Sequence, residues 1–454
     1  MILKEGNIML KDKKIFILGM ARSGFEAARL LAPSNEVFIT DIKEQKEENL
    51  AILKDLGVTF VLSDNPTVLL DDSYDVFIKN PGIKYDHPTV LKAKNLGIPV
   101  INELELAFHY LNPEAKIIGI TGSNGKTTTT TLIYEMLKED GKRVFLGGNI
   151  GTPFCHFVLD VKANDYVVLE VSDHQLCDVT DFKTNISVLT NIYPVHLDFH
   201  DSFERYKMMK KKIFAHHSSS DLAVINRDNE EAVRLTEDIA SSKMYFSREQ
   251  KEKAYLDQGQ IYYDGEPILA TQEILLKGNH NYENIMAAIL AVKACGVSTE
   301  SIRKVLKNFK GVEHRLEYVD TIDGVLYYND SKATNCESTK IALNSFQAPT
   351  LLLLGGTDRG HAFEDLDDSL KYVKYVACYG ETKMRIKAYC EKRNIPCDVF
   401  ETLSEATKAC HDKAQAGDVV LLSPACASWD QYNCFEERGE EFKNLVKQFG
   451  GSEK

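Results

Sequence analysis

Short apolar runs alternate along this chain with longer stretches in which apolar residues recur every three to four positions. The short runs have the length of strands and the longer stretches the length of helices. The pattern therefore predicts an α/β protein with mainly parallel sheets, without internal repeats or low-complexity tracts. The predicted strands are 15–18, 37–40, 76–79, 117–120, 166–169, 186–189, 222–225, 325–328, 351–354, 376–379 and 419–422.

The predicted strands fall into three blocks, and each block is long enough to be a domain. The first block spans 1–105, the second 106–312 and the third 313–454. No Gly/Ser-rich linker marks either boundary, so both rest on the order of the strands. We expect three domains with these boundaries.

The fourth predicted strand runs into the glycine-rich segment G-S-N-G-K-T-T at 122–128, and a helical pattern follows over 128–137. This order is typical of a phosphate loop, in which backbone N–H groups and a helix N-terminus surround phosphate oxygens. The Lys126 amine can reach the outer phosphates, and the Thr127 hydroxyl can bind Mg²⁺. Ile120 stands where the common pattern has its first glycine, so the loop is a shortened variant. A glycine turn that only caps a helix is the alternative.

Other candidate residues lie near the ends of predicted strands. The turn G-M-A-R-S-G at 19–24, with Asp41 after the second strand, suggests a nucleotide crevice but lacks a full G-x-G-x-x-G. Glu170 ends a strand of the second block and is placed for Mg²⁺, although a solvated strand-end acid is the alternative. His196 has no partner in the pattern, and a lone histidine is more often structural.

The lysine run and three of the histidines are given structural interpretations. The lysine run at 210–212 is by default a solvated helix face. His109, His216 and His217 have no partner in the sequence pattern, and we expect them to be surface residues.

The composition and net charge restrict the partners and the cellular location that we expect for this protein. The 454 residues are 44% hydrophobic and 27% charged, and the formal net charge is −13. An acidic chain argues against nucleic-acid and anionic-membrane partners, and any bound polyphosphate needs local positive charge. The ten cysteines contain no C-x-x-C pair, which indicates reduced thiols. With no signal-peptide pattern and no apolar run near the ~20 residues of a membrane span, a cytoplasmic location is expected.

Five motifs extend over all three blocks. They are T-G-S-N-G-K-T-T at 121–128, G-G-N-I-G at 147–151, H-R at 314–315, N-D-S-K-A-T-N at 329–335 and S-P-A-C-A-S-W-D-Q-Y at 423–432. Together they resemble the Mur ligases, and the third-block motifs are the most specific of them. The resemblance implies three domains: an N-terminal Rossmann-like domain for a UDP-substrate, a central P-loop ATPase-like parallel sheet for ATP, and a C-terminal Rossmann-like domain for an amino acid.

The resemblance also implies an activity, namely ATP-dependent amide ligation in peptidoglycan precursor synthesis. UDP-N-acetylmuramoyl-L-alanine would be activated as an acyl phosphate and D-glutamate would supply the amine, in a monomer without nucleic-acid or membrane partners. The implied cofactors are ATP, two Mg²⁺ ions and a carbamylated lysine at Lys210, which the motif with Tyr206 and 213–214 identifies. The alternatives are another Mur-type or folylpolyglutamate-type amide ligase, and a non-catalytic nucleotide-binding protein.

The site residues implied by the resemblance fall into five groups. The catalytic group is Lys126, His196, Lys210 and Lys332. The ATP-binding group is Gly122, Ser123, Asn124, Gly125, Lys126, Thr127, Thr128, Asn281, Asn284, Arg315 and Asp330. The UDP-substrate group is Arg22, Ser23, Asp41, Asn80 and Asn149. The D-glutamate group is Thr334, Arg359, Ser428 and Phe435, and the metal group is Thr127, Glu170, His196 and Lys210.

The chain departs from the family where it reads S-D-H-Q at 172–175, because the family usually reads S-S-F-Q there. Asp173 and His174 thus bring two titratable groups near the metal ligands. They could tune metal binding or pH dependence, or face solvent. Asn80 and Arg359 replace a serine and a lysine of some relatives, and both keep a hydrogen-bond donor.

Overall fold

A computed structural model describes residues 10–195, 197–360 and 362–451. The chain divides into two compact units. The first unit comprises the chain up to Ile268 together with Glu283–Ile302, and the second comprises Leu269–Tyr282 and the chain from Arg303 onward. Each predicted block contributes one sheet, while the boundaries near 105 and 312 stay a prediction.

The first sheet is fully parallel. Its strands are β1 (Lys14–Leu18), β2 (Glu36–Asp41), β3 (Thr59–Leu62), β4 (Val76–Lys79) and β5 (Val100–Ile101), and its helices are α1 (Arg22–Leu31), α2 (Glu47–Asp55), α3 (Pro88–Asn95) and α4 (Glu103–Tyr110). The order is β3-β2-β1-β4-β5. The order reverses beside β1, so the loops after β1 and β4 leave a crevice at the carboxyl ends of the strands.

The second sheet has nine strands. They are β6 (Lys116–Thr121), β7 (Val144–Gly148), β8 (Tyr166–Glu170), β9 (Ile186–Leu189), β10 (Leu222–Asn226), β11 (Ser242–Ser247), β12 (Ala254–Asp257), β13 (Gln260–Tyr263) and β14 (Glu266–Ala270). The helices of this region are α5 (Lys126–Glu139), α6 (Phe154–Phe157), α7 (Asp173–Leu176), α8 (Leu197–His200), α9 (Phe203–Lys211) and α10 (Glu230–Leu235). The order β14-β13-β12-β11-β10-β9-β6-β8-β7 places β6 between β8 and β9, all three parallel.

The third sheet lies in the second unit. Its strands are β15 (Glu317–Ile322), β16 (Val325–Asn329), β17 (Thr350–Gly355), β18 (Val373–Tyr379), β19 (Cys397–Val399) and β20 (Val419–Leu422). The remaining helices are α11 (Asn279–Ala294), α12 (Thr299–Asn308), α13 (Cys336–Leu343), α14 (Lys383–Lys392), α15 (Leu403–Lys413) and α16 (Phe435–Phe449). In the order β15-β16-β20-β17-β18-β19 only the edge strand β15 runs antiparallel to its neighbour.

The α/β prediction is confirmed, and each predicted strand lies within an observed one. The agreement has a physical cause, because strands buried on both faces read as continuous apolar runs: β4, β8, β9, β10, β17 and β20 are buried at every position. Within the described ranges, no helix is long and apolar enough to cross a bilayer.

Two histidines expected at the surface are buried instead. His109 lies in α4 with its Nε2 3.3 Å from an oxygen of Glu105. His217 Nε2 lies 2.8 Å from the Thr184 hydroxyl, and its Nδ1 lies 2.7 Å from that of Ser241. Burial lowers the pKa of His217 to about 4. The prediction was wrong because the sequence pattern shows neither that the side chain of His109 on α4 is buried nor that His217 meets partners 33 and 24 residues away along the chain.

Glu103 is a buried carboxyl group at the start of α4. The side chain of Asn102 caps this helix by accepting a hydrogen bond from the Glu105 N–H. The Glu103 carboxyl accepts from the Cys155 N–H at α6, and burial raises its pKa to about 7. Burial disfavours the charged form, so this group favours folding only while it is protonated.

The raised pKa of Glu103 predicts a pH-dependent stability. The folded pKa lies above the unfolded value of 4.5, so the contribution is fully present below pH 4.5 and is lost as the pH rises through 7. Glu103→Gln should therefore stabilise the protein relative to the wild type by about 2 kcal/mol more at pH 8 than at pH 5. Chemical denaturation of both proteins at both pH values measures this difference. An equal difference at the two pH values would contradict the prediction.

Candidate functional site

A cleft of about 350 Å³ opens in the first unit beside the loops after β1 and β4. Four of the five residues predicted to hold the UDP-substrate line it, namely Arg22, Ser23, Asn80 and Asn149. The Arg22 guanidinium donates to the Gly151 carbonyl at 2.9 Å, and the Asn80 amide donates to the Ser23 hydroxyl at 3.2 Å. The cleft therefore offers hydroxyl, amide and guanidinium groups to a polar ligand.

Asp41, the fifth of these residues, is held by backbone groups at the end of β2. Its carboxylate accepts from the Met20 N–H at 2.6 Å and from the Lys43 N–H at 2.9 Å. These bonds fix the turn after β1 that carries Arg22. In this structure Asp41 thus shapes the cleft rather than lining it.

The phosphate loop after β6 can be formed only by glycine at two positions. Gly122 and Gly125 have φ values of 147° and 80°, a region that side chains rarely adopt. A Cβ atom at Gly122 would stand 1.9 Å from the Thr190 hydroxyl oxygen, and one at Gly125 would stand 2.1 Å from Asn284 Oδ1. The predicted ATP-binding residue Asn284 therefore lies directly against the loop.

Hydrogen bonds fix the conformation of the phosphate loop in front of α5. The Asn124 N–H donates to Asn191 Oδ1 at 2.9 Å, and the Thr190 hydroxyl donates to the Asn124 carbonyl at 2.6 Å. The Lys126 ammonium donates to the carbonyls of Gly122 and Ser123 at 2.8 and 2.9 Å. Lys126, as the first residue of α5, thus sits where the helix dipole and its own charge both attract an anion.

Two of the predicted metal ligands meet beside this loop. The Thr127 hydroxyl donates to Glu170 Oε2 at 2.7 Å, and the Asn149 amide donates to Glu170 Oε1 at 2.7 Å. Mg²⁺ prefers oxygen ligands at 2.0–2.1 Å in an octahedron, whose adjacent oxygens are about 3 Å apart. The Thr127 and Glu170 oxygens fit that requirement. His196, the third ligand implied by the resemblance, lies outside the described residues.

Lys210, the fourth candidate ligand, is fully buried on α9, so the default of a solvated face is wrong for this residue. Its Nζ lies 3.4 Å from both Asp173 Oδ1 and the Thr121 hydroxyl. Burial, reinforced by the charge of Lys126, lowers the pKa of Lys210 to about 7. A buried lysine with such a pKa has a substantial population of neutral amine near neutral pH, which is the reactive form.

Asp173, where the chain departs from the Mur ligases that it resembles, is buried and forms part of this site. Its Oδ2 lies 2.7 Å from His200 Nε2 and 3.2 Å from His174 Nδ1. Burial alone would raise the pKa of Asp173. The hydrogen bonds from His174 and His200 and the charge of Lys210 hold it well below its usual range. The sequence suggested nothing for His200, which is the last residue of α8.

In the second unit Asp330 directly follows β16 and begins the loop that carries Lys332. Its carboxyl accepts from the Leu316 N–H at 3.1 Å and from the Ser423 hydroxyl at 2.8 Å, and burial raises its pKa to about 7. The Lys332 ammonium lies 5.0 Å from the centre of the Phe435 ring. Two of the specific motifs are therefore joined by a buried carboxyl group.

The residues predicted to bind D-glutamate lie on loops at the carboxyl ends of this sheet. Ser428 is buried in the loop after β20, and the exposed Arg359 guanidinium lies 5.5 Å from the Trp429 ring. Thr334 is half-buried in the loop after β16, and Phe435 begins α16. Arg359 presents a charged fork at the end of β17, a geometry suited to a carboxylate.

Arg438 was not predicted, yet it connects two motifs. It is fully buried on α16. Its guanidinium donates to the Ser331 hydroxyl at 3.0 Å, to the Ser331 carbonyl at 2.7 Å and to the Cys426 carbonyl at 3.1 Å. An arginine on the buried face of a helix would have indicated this role, but the sequence alone does not show which face of α16 is buried.

Of the three remaining ATP-binding candidates, Thr128 lies in the first turn of α5 and the other two lie in the second unit. Asn281 is buried in α11 and donates to the Lys277 carbonyl at 2.7 Å. Arg315 is exposed in the turn before β15. Their assignment to ATP stays a prediction.

Comparison with known families agrees with these motifs. Residues 120–292 match the family "Mur ligase middle domain", and residues 314–426 match "Mur ligase, glutamate ligase domain". The solved structure of UDP-N-acetylmuramate-alanine ligase MurC from Thermotoga maritima is similar in fold, with a TM-score of 0.60 at 20% identity, covering 97% of this chain and 100% of that chain.

Curated relatives match over nearly the whole length. The UDP-N-acetylmuramoylalanine--D-glutamate ligase of Geobacillus kaustophilus is 44% identical over 96% of this chain and 98% of its own length. The protein of the same name from Bacillus subtilis is 41% identical over 97% of this chain and 99% of its own length. At this identity and coverage, the chain belongs to the Mur ligase family.

Proposed function

We propose that this chain joins D-glutamate to UDP-N-acetylmuramoyl-L-alanine with cleavage of ATP to ADP and phosphate, as a step of peptidoglycan precursor synthesis. The observation that carries the proposal is the phosphate loop in which the Thr127 hydroxyl meets the Glu170 carboxylate. The full-length similarity to relatives named as D-glutamate ligases supports the choice of substrates.

The first step is a phosphoryl transfer. A carboxylate oxygen of the alanyl group attacks the γ-phosphorus, and the bond from that phosphorus to the β,γ-bridging oxygen breaks, which leaves an acyl phosphate and ADP. Such steps depend mainly on positioning and on neutralising charge. The Lys126 ammonium and the N–H groups at the start of α5 would bind the phosphates.

The Mg²⁺ ion that this family uses would neutralise phosphate charge when bound. Thr127 and Glu170 would hold it, because their oxygens are already 2.7 Å apart. Asn149 would keep the Glu170 carboxylate oriented through its amide hydrogen bond. The number of ions and a role for His196 belong to this proposal as well.

The second step forms the amide. The neutral amine of D-glutamate attacks the acyl carbon, the carbon–oxygen bond to phosphate breaks, and the amine proton passes to solvent or to the leaving phosphate. Arg359, Ser428 and Thr334 would bind the carboxylates of glutamate, since guanidinium and hydroxyl groups are donors suited to them. Lys332 would add positive charge for the phosphate that leaves.

The polar cleft at Arg22, Ser23 and Asn80 would bind the UDP-sugar. We assign this substrate to residues 1–105, ATP to 106–312 and the amino acid to 313–454. Each of these assignments follows the resemblance and the position of the candidate residues at the carboxyl ends of parallel strands, where α/β proteins bind ligands.

Lys210 would carry a carbamate, formed when its neutral amine attacks CO₂ and a proton is released. The carbamate would supply an anion for metal binding at a position that is otherwise cationic. Burial favours the neutral amine that this reaction needs. The nearby Asp173 carboxylate would repel a carbamate, so the modified form requires a cation close by.

The function is tested by phosphate release with a panel of substrates. ATP cleavage that depends on both UDP-N-acetylmuramoyl-L-alanine and D-glutamate is the expected result. Dependence on a different amino acid or on a folate would assign the chain to another ligase. Nucleotide binding without turnover on any member of the panel would indicate a non-catalytic protein.

A glycine pair provides a matched test of the phosphate loop. Gly125→Ala should lower kcat/KM for ATP by at least about 100-fold, because the new Cβ collides with Asn284 and displaces the loop. Gly141→Ala is the control, since Gly141 also has a positive φ of 75° but a Cβ there meets nothing within 4 Å. If steady-state phosphate release shows equal kinetic effects for the two substitutions, the loop at 122–128 does not bind ATP as proposed.

Lys210→Ala should abolish the activity and remove a carbamate signal from the ¹³C NMR spectrum recorded with ¹³C-bicarbonate and Mg²⁺. Lys211→Ala is the control, because Lys211 pairs with Asp238 at the surface. A short carboxylate such as acetate should partly restore the Lys210→Ala variant by replacing the lost anion. Full activity of Lys210→Ala would exclude Lys210 from the site.

A further inference from the structure

Three cysteines that belong to no sequence motif meet in the second unit. Cys378 lies on β18, Cys390 on α14 and Cys397 on β19, and their sulfur atoms all lie within 4.8 Å of one another. Cys378 and Cys390 are fully buried, whereas Cys397 is partly exposed. They lie within 20 residues of one another along the chain but on three different elements, so the packing of α14 on β18 and β19 creates the cluster.

Strand register explains why the three side chains converge. In the parallel pair β18–β19, Val376 is opposite Cys397 and Cys378 is opposite Val399. Residues two apart on a strand share a face, so Cys378 and Cys397 point to the same side of the sheet. Helix α14 packs on that side, and its Cys390 belongs to the same apolar cluster as Cys378.

The geometry is that of an incomplete metal site. A point equidistant from three sulfurs 4.8 Å apart lies about 2.8 Å from each, and shifts of about 0.5 Å bring this to the Zn–S distance of 2.3 Å. Sulfur is the only donor type in the cluster, and thiolates select soft or borderline ions over Mg²⁺ or Ca²⁺. The partly exposed Cys397 leaves a route from solvent for the ion.

We propose that Cys378, Cys390 and Cys397 form a three-thiolate site for Zn²⁺, with the fourth position open at the Cys397 side. Binding of Zn²⁺ would release three thiol protons and leave a complex with a net charge of −1. The same three thiolates with Cu⁺ would carry a net charge of −2, which costs more free energy to bury.

The role of this site would be structural. Zn²⁺ would connect the short edge strand β19, only three residues long, to β18 and to α14. Short edge strands have few ladder hydrogen bonds, so a metal bridge would add stability where the sheet is weakest. The proposal does not depend on the ligase activity, because the three cysteines are separate from every residue assigned to it.

The test uses the full chain, purified under reducing conditions and stripped with a chelator. Titration with Zn²⁺ and metal analysis after gel filtration should find one tightly held ion per chain and a raised melting temperature. Co²⁺ in place of Zn²⁺ should give sulfur-to-metal charge-transfer absorption. Cys390→Ser and Cys397→Ser should lose both signals, and Cys410→Ser, a fully buried cysteine of α15, should keep them.

Each outcome decides the proposal. Cys397→Ser is the decisive variant, because its partly exposed position makes the substitution least harmful to folding. If the protein binds Cu⁺ but not Zn²⁺, and the same cysteine variants lose the Cu⁺, the choice of ion would be overturned. Absence of stoichiometric metal, retention of metal by Cys397→Ser, or a disulfide within the cluster in the protein as isolated would overturn the site.

Discussion

The buried carboxylate of Glu170 is the group on which the arrangement of the candidate site depends. A carboxylate removed from water is costly unless it is paired, and here one oxygen accepts from Thr127 and the other from Asn149. Thr127 lies in the first turn of α5, Asn149 follows β7, and Glu170 ends β8. One acidic side chain thus joins three neighbouring segments at this edge of the sheet, and the parallel register that pairs Ile120 with Glu170 makes this possible.

Positive charge is concentrated near this carboxylate in a chain whose net charge is −13. Lys126 and Lys210 are near enough for the charge of the first to lower the pKa of the second. Asp173 balances them, in company with His174 and His200. Local neutralisation by a few buried groups is what an acidic protein needs in order to hold a polyphosphate, and overall composition cannot reveal it.

The second unit uses buried polar groups in a different way. Asp330 and Arg438 are both buried, and each links loops that follow different strands of the third sheet. Such groups are expensive to bury, but once satisfied they fix the relative positions of the loops they join. Gly439 allows α16 to pack closely against His314, since a Cβ atom at Gly439 would stand 2.2 Å from His314 Nδ1. The motif residues Ser331, Ser423 and Cys426 owe their positions to these contacts.

The sequence by itself determined the eleven strands that read as continuous apolar runs, the phosphate loop and the residues at the carboxyl ends of those strands, because apolar runs, glycine positions and helix starts are local properties of the chain. It missed partly exposed strands such as β3, β11 and β19, in which apolar and polar residues are mixed. It did not determine that His109 and His217 are buried, that Asp173 pairs with Lys210, that Arg438 connects two loops, or that three cysteines converge. Those facts depend on which faces are buried and on partners up to 107 residues away along the chain, and only the register of the strands and the packing of helices on them decide which side chains meet.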